Sequence, residues 1–452
     1  MNQSEPGKTI TGYCQPLSLR AGEQIRFMAS SEKPGQAQLD LVRIICGDPT
    51  GSGSGFNEQE VSSDLSQHVE LSKQLLQPGS FGKVDLSGLT ANRKLNIGFD
   101  MLPTRPIGTQ TILSVKGNND QLAIVLVDGL LKIRFGNAEL DTYLQPLTTR
   151  RWYRVDMAMD LTAGQIQGAI TSQESHSPAR DLLEPVDGSS FSHAGMLNYL
   201  GSLDSCLFAA SANGEHFDGR IARPHLTIDD TEIVWDLGRE IDGRGIVDVS
   251  GNSRHGLLHQ LPARGVTGPG WDGTCESWTV NPSHYDAVHF HTDDLYDVAW
   301  QTTAVLDLPK ELPSGIYAFR LRSEQGEDRV PFFVRPAEGF GTAKIALLMS
   351  SCTYIAYANH RMLFEGADFV GARSRLSPEH EYIRQHPELG ASLYEKHADG
   401  SGVMYSSRNR PILQWQPGAD RWNFTPDTDI NAYLDHLHIG HDIVCRLLLE
   451  KK

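Results

Sequence analysis

The sequence is short of basic residues. Lys and Arg total 40 against 56 Asp and Glu, which leaves a formal net charge of −16. A surface of that sign repels phosphate, so nucleic acid and anionic membranes are excluded as partners. Long apolar runs are missing too, and nothing approaches the roughly 20 residues of a membrane-spanning helix. The opening Met1-Asn2-Gln3-Ser4-Glu5-Pro6 lacks the basic-then-apolar order of a signal peptide, so a cytoplasmic location is expected. Cysteines are few and scattered. Cys14, Cys46, Cys206, Cys275, Cys352 and Cys445 form no C-x-x-C pair and no zinc spacing, and they read as buried free thiols. Helical periodicity is scarce before residue 375.

What is present is turn-rich, with 43 Gly and 23 Pro. A chain of 452 residues exceeds what one core organises, so two to four domains are expected. Leu39-Asp40-Leu41-Val42-Arg43-Ile44-Ile45 suits a pleated surface. The glycine-dense stretch from Gly47 to Gly55 runs into Phe56-Asn57-Glu58 instead of Gly-Lys-Ser/Thr, so it reads as a loop and not a phosphate cradle. Between residues 80 and 275 short strands alternate with turns, and Asp128-Gly129 marks a hairpin tip. Such a pattern argues for a sandwich or jelly roll. Phe217-Asp218-Gly219-Arg220-Ile221-Ala222-Arg223-Pro224 and Asp248-Val249-Ser250-Gly251-Asn252-Ser253-Arg254-His255-Gly256 resemble the closing strands of a laminin-G or concanavalin-type jelly roll. Ile316–Arg322 and Val330–Val334 read as a hairpin ending an immunoglobulin-like sheet. The expected fold class is therefore multidomain β plus α/β. Residues 1–75 and 280–336 form an immunoglobulin-like domain, 76–279 an inserted jelly roll, and 337–452 an incomplete parallel-sheet α/β domain.

Two places carry chemistry. His289-Phe290-His291 puts two imidazoles on one face of a strand, which suits zinc. No third ligand stands at a convincing spacing, so structural histidines are the preferred reading. Farther on, Ile345-Ala346-Leu347-Leu348-Met349 is a continuous apolar run, the mark of a parallel strand covered on both faces. Asp427 can cap a helix whose Ile430, Tyr433, Leu434 and Leu437 share a face, and His441-Asp442-Ile443-Val444 reads as a second parallel strand. Ligands of open α/β sheets gather at the carboxyl ends of strands, which singles out the polar loop Ser350–His360. There Cys352 is either a nucleophile served by His360 or a filler at the end of a buried strand, and the filler is preferred.

The order of motifs then carries a resemblance. Arg43-Ile44-Ile45-Cys46-Gly47-Asp48-Pro49, the jelly-roll segments, Cys352–His360, Gly390-Ala391-Ser392-Leu393-Tyr394 and His397-Ala398-Asp399-Gly400-Ser401-Gly402 together resemble the large (beta) subunit of N,N-dimethylformamidase along nearly the whole chain. The resemblance implies hydrolysis of N,N-dimethylformamide to formate and dimethylamine by a mononuclear ferric iron held by two tyrosines and a glutamate. Phenolate and carboxylate oxygens are hard donors suited to ferric iron, which acts as a Lewis acid on an amide carbonyl and lowers the pKa of water. By position, Tyr394 is one ligand. The other is Tyr354 or Tyr357, with Tyr354 preferred because it lies immediately beyond the strand end. The glutamate and a catalytic histidine carry over to no residue here and are expected beyond Lys452, so the catalytic domain reads as cut short. The implied partners are a small amide substrate, a small (alpha) subunit and further copies of the chain. The alternative is a non-catalytic β-sandwich protein that binds a glycan or another protein.

Overall fold

The computed structural model describes residues 9–48, 55–136, 138–142, 145–173, 188–195, 200–341, 343–361, 377–418, 423–438 and 440–445. Most of the glycine-dense stretch (49–54) and the terminal 446–452, with Glu450, lie outside them. The chain is mostly β-structure with few helices, divided into two units. The first comprises Met1–Gln77, Leu295–Lys396 and Gly402–Lys452; the second comprises Pro78–Asp294 and His397–Ser401.

The first unit is organised by a six-stranded sheet. Its central strand Gly35–Cys46 pairs antiparallel with Gly315–Ser323, which in turn pairs with Gly326–Arg335. Strand alternation divides the side chains between two buried faces. Leu39, Leu41, Tyr317, Phe319, Leu321, Phe332 and Val334 face one core, shared with Ile10, Ile25 and Phe27 from a three-stranded antiparallel sheet. These two layers make a β-sandwich. The intervening Val42, Ile44, Ile316, Ala318 and Phe333 face a second core with Met349, Tyr354, Trp415, Phe424 and Ile443. Each fully buried side chain of this size contributes roughly 1.5–3 kcal/mol, so both faces are strongly committed.

The layer on the second face comes from the C-terminal part of the chain. Ile345–Met349 and His441–Cys445 pair in parallel, as the sequence suggested. Among the described residues the expected cover on both faces is incomplete, since Leu348 is 58% exposed and Ile345 41%. Each strand has the other as its one strand partner among the described residues. Helix α1 (Ser351–Ala356) occupies what the sequence suggested was a loop. Helix α2 spans Pro378–Gln385, with Ser377 accepting from the His380 amide at its start. Helix α3 runs Phe424–His436 and turns the opposite way from its apolar stripe. Ile430, Tyr433 and Leu437 are exposed, whereas Thr428 and Asn431 are buried. The reason is polar. Thr428 Oγ1 accepts from the Gly47 amide at 2.7 Å, and Asn431 Nδ2 donates to the Ile45 carbonyl at 2.9 Å. These bonds satisfy backbone groups at the end of the central strand that would otherwise be buried unpaired. Asp427 sits in the first turn rather than at the cap, which is Asn423.

The second unit is a β-sandwich around one large core that includes Phe99, Phe135, Tyr153, Phe208 and Trp235. One layer centres on Lys94–Pro103, flanked by Tyr153–Asp160 and Gly219–Ile228; the other centres on Thr109–Gly117, flanked by Gln121–Val127 and Gly201–Phe208. Asp128 and Gly129 form the foreseen hairpin tip with φ of 49° and 83°, the two left-handed residues that a tight two-residue turn requires. The Asp248 carboxylate accepts from Ser250 and Arg254 amides, which folds the 248–256 motif onto itself.

One charged network stiffens the first unit. Arg320 bonds Asp40 Oδ2 at 3.0 Å and Glu58 Oε1 at 2.9 Å and also reaches Glu60, while Arg329 grips both Glu58 oxygens. Burial alone would raise the Asp40 carboxyl, but hydrogen bonds from Arg320, Ser66, Gln38 and Arg322 outweigh it and hold it down to about 2. A depressed carboxyl stabilises the fold above its unfolded pKa and loses that contribution as pH falls through the folded value. Thermal melts are therefore expected to hold steady above pH ~4 and to fall steeply between there and about 2. Arg320→Met, which leaves Asp40 and Glu58 without their main counter-charge, is expected to cost about 3–5 kcal/mol in denaturant unfolding.

Candidate functional site

Of the three tyrosines picked out by sequence, the structure brings two together. Tyr357 follows α1 directly as its C-cap, with its amide bonded to the Thr353 carbonyl at 3.1 Å. Its ring stacks on Tyr394 with centroids 4.2 Å apart and planes 14° from parallel. A hydrogen bond with the Tyr394 hydroxyl pushes the Tyr357 phenol up. Tyr394 is 58% exposed, so the pair is open to solvent. Tyr354 lies apart from it. It is fully buried against Trp415 and Phe424, and its hydroxyl donates to the Asp427 carboxylate. This is a core tyrosine with its polar tip satisfied. Cys352 is exposed, against the filler reading, and His360 is fully buried.

The tyrosine pair rests on a buried cation. Arg410, 1% exposed, donates to the carbonyls of Leu389 at 2.7 Å, Ala391 at 2.8 Å and Ser407 at 3.1 Å. Burial pulls its pKa down to about 10, which still leaves it charged at neutral pH. Gly390 must be glycine: its φ is +80°, and a Cβ there would meet Arg410 Nη1 at 2.1 Å. Beside it, Asn359 donates to the Leu389 and Pro411 carbonyls and accepts from the Leu413 amide. Leu393 N donates to Ala356 O at 2.9 Å, which draws the Tyr394 segment against the end of α1. Glu395 is buried and already accepts from the Ser392 and Arg361 amides.

A second cluster lies within the other unit. His289 and His291 project together from the strand Ala287–Phe290 and the residue after it. The partner that the local sequence did not supply comes from 110 positions away. Asp399 Oδ2 stands 3.0 Å from His289 Nε2 and 3.8 Å from His291 Nε2. His397 stacks on His291 with centroids 3.8 Å apart, and its Nδ1 is 2.7 Å from Asp293. Burial pushes His289 down to about 4 against the pull of Asp399, so this imidazole is neutral at pH 7. For His397, burial is outweighed by Asp293, Asp294 and Asp399, and the pKa is raised. Asp399 is driven well below the carboxylate range, because bonds from His289, Ser401 and Thr104 overcome its burial. The one hint in the sequence was the His397–Gly402 motif, whose Asp-Gly-Ser turn gives no local sign of its distant partner.

Comparison with known proteins places these residues among relatives. Residues 263–446 match the family model described as N,N-dimethylformamidase beta subunit-like, C-terminal. The chain is 31% identical to the N,N-dimethylformamidase beta subunit of Paracoccus aminophilus over a 490-residue alignment covering 96% of this chain and 64% of that protein. It is 29% identical to the corresponding subunit of an Alcaligenes species, with the same coverage. The chain thus spans about two thirds of the length of these relatives. Among solved structures, a putative carbohydrate binding protein from Bacteroides ovatus aligns at 12% identity and a TM-score of 0.28, covering 56% of this chain and 92% of that one.

Replacing Arg410 by Met is expected to loosen the segments that carry the tyrosines. Several buried carbonyls would lose their donor, each at about 1–3 kcal/mol. Hydrogen exchange should then rise first in residues 389–394 and 406–413, with the second unit unaffected; uniform exchange across the chain would contradict this role.

Proposed function

We propose, from the similarity to N,N-dimethylformamidase beta subunits, that the chain acts in hydrolysing a small N-substituted amide, with N,N-dimethylformamide going to formate and dimethylamine. The observation that carries the reading is the Tyr357–Tyr394 stack, which lies inside the segment matched by the family model. Two stacked phenols joined by a hydrogen bond fit two positions of the two-tyrosine, one-glutamate donor set that the family resemblance implies. The carboxylate of that set is carried over to no residue of this chain. Bound ferric iron would supply Lewis acidity towards the amide carbonyl and a lowered pKa for water.

In this reading Tyr357 and Tyr394 hold the cation, and Tyr354 anchors the helix that ends at Tyr357. The Arg410 bonds keep the two rings in register without touching the reacting atoms. Because the relatives are beta subunits, the proposal extends to assembly with a smaller alpha subunit and further copies, in the cytoplasm. It also takes the second unit as a laminin-G-like jelly roll and the sandwich of the first as immunoglobulin-like.

The test is spectroscopic. With ferric iron added, the chain and its alpha subunit are expected to show a phenolate-to-iron charge-transfer band. Tyr357→Phe and Tyr394→Phe should each lose iron and the band. Tyr354→Phe should keep both and cost only about 1 kcal/mol of stability. A band indifferent to Tyr357 and Tyr394, or one abolished by Tyr354→Phe in a folded protein, would overturn the assignment.

A further inference from the structure

We infer that His289, His291 and Asp399 form a binding site for a divalent transition-metal cation of the zinc class, separate from the tyrosine pair. Three donors from two distant stretches converge there: two imidazole Nε2 atoms and one carboxylate oxygen, all within 4.8 Å of one another. The set is shielded from water, since the Asp399 and His291 side chains are 1% exposed and that of His289 is 6%. Two imidazoles with one carboxylate match the preference of zinc for mixed nitrogen and oxygen ligands.

The surroundings of His291 are an independent observation that points to a cation. Its Nδ1 faces Asp294 Oδ2 at 3.1 Å, and Asp294 is itself fixed by Ser80 Oγ at 2.6 Å. A carboxylate on one ring nitrogen fixes the proton there and turns the lone pair of the other nitrogen outward, the usual support behind a metal-bound histidine. For His291 that other nitrogen faces Asp399, with the Ser401 hydroxyl, which donates to Asp399, 2.9 Å away. Asp294 and Asp399 also place two buried carboxylates against these rings, and a dication offsets that charge. The strand brings the two histidines together, while the Asp399-Gly400-Ser401 turn delivers the third donor and the hydroxyl. A site of this kind ties His397–Ser401 to the sandwich it packs with, so its role is structural.

The experiment uses the full chain stripped by chelator and shown by circular dichroism to be folded. Titration with Zn2+ is expected to give one equivalent bound and a higher melting temperature. His289→Gln and Asp399→Asn should abolish tight binding, and Asp294→Asn should weaken it about 10–100-fold. Tyr394→Phe should bind zinc as the parent does, which keeps the outcome independent of the proposed amide chemistry. If the ligand variants fail to fold, zinc X-ray absorption of the parent decides, with imidazole nitrogen expected at ~2.0–2.1 Å. A folded parent that binds no zinc, a shell made only of oxygen, or unchanged binding in folded His289→Gln and Asp399→Asn would overturn the site and leave a hydrogen-bonded cluster.

Discussion

The first unit depends on one strand pairing, the register that sets Ile44 opposite Ile316 and Leu41 opposite Phe319. These strands lie far apart in the chain, as the contact from Arg320 to Asp40 across 280 positions illustrates. A slip of one residue would exchange the two faces, sending the side chains of one core into the other. Both faces are buried, so neither can tolerate that exchange. The Arg320 bonds to Asp40 and Glu58 fit only this register and so reinforce it. Closing so long a loop is entropically costly, but the cost grows only slowly with length. The whole second unit can therefore lie between the paired strands.

Everything that bears the tyrosines is laid on the outer face of that sheet. Among the described residues the C-terminal layer has two short parallel strands and three α-helices, and much of its support is polar. Thr428 and Asn431 serve the backbone at the strand end, Asn359 bridges three backbone groups, and Arg410 gathers carbonyls from separate segments. Such networks define geometry more sharply than apolar packing does, because each buried donor has few acceptable positions. They are also vulnerable, since removing one centre leaves several groups unsatisfied. The second unit shows the opposite strategy. Its large apolar core carries the fold, and the polar cluster sits at the return of the chain through His397–Ser401.

Several elements were legible because their signals are local. The strand-suited residues of Leu39–Ile45, the Asp128-Gly129 tip and the apolar Ile345–Met349 run all became strands or turns where expected. Helix α3 was legible as a helix but not in its orientation. An apolar stripe normally faces a core, yet here backbone groups at the end of Gly35–Cys46 needed donors and acceptors, so Thr428 and Asn431 turned inward. The segment after Met349 was misread as a loop because a helix as short as Ser351–Ala356 leaves almost no periodic trace.

The sequence by itself determined the charge, the predominance of β-structure, the strand-forming segments and, through ordered motifs, the likeness to N,N-dimethylformamidase beta subunits. It also offered candidates for chemistry: the tyrosines after Met349, Tyr394 and, less favoured, the His289–His291 pair. Only the tertiary structure decided which of them meet. Tyr357 faces Tyr394 while Tyr354 enters the core, because α1 ends between the two and changes the direction of the chain. Asp399 reaches the histidines because the chain returns to the second unit after 110 positions. Contacts of that range depend on the packing of whole layers, and no local pattern of residues encodes them.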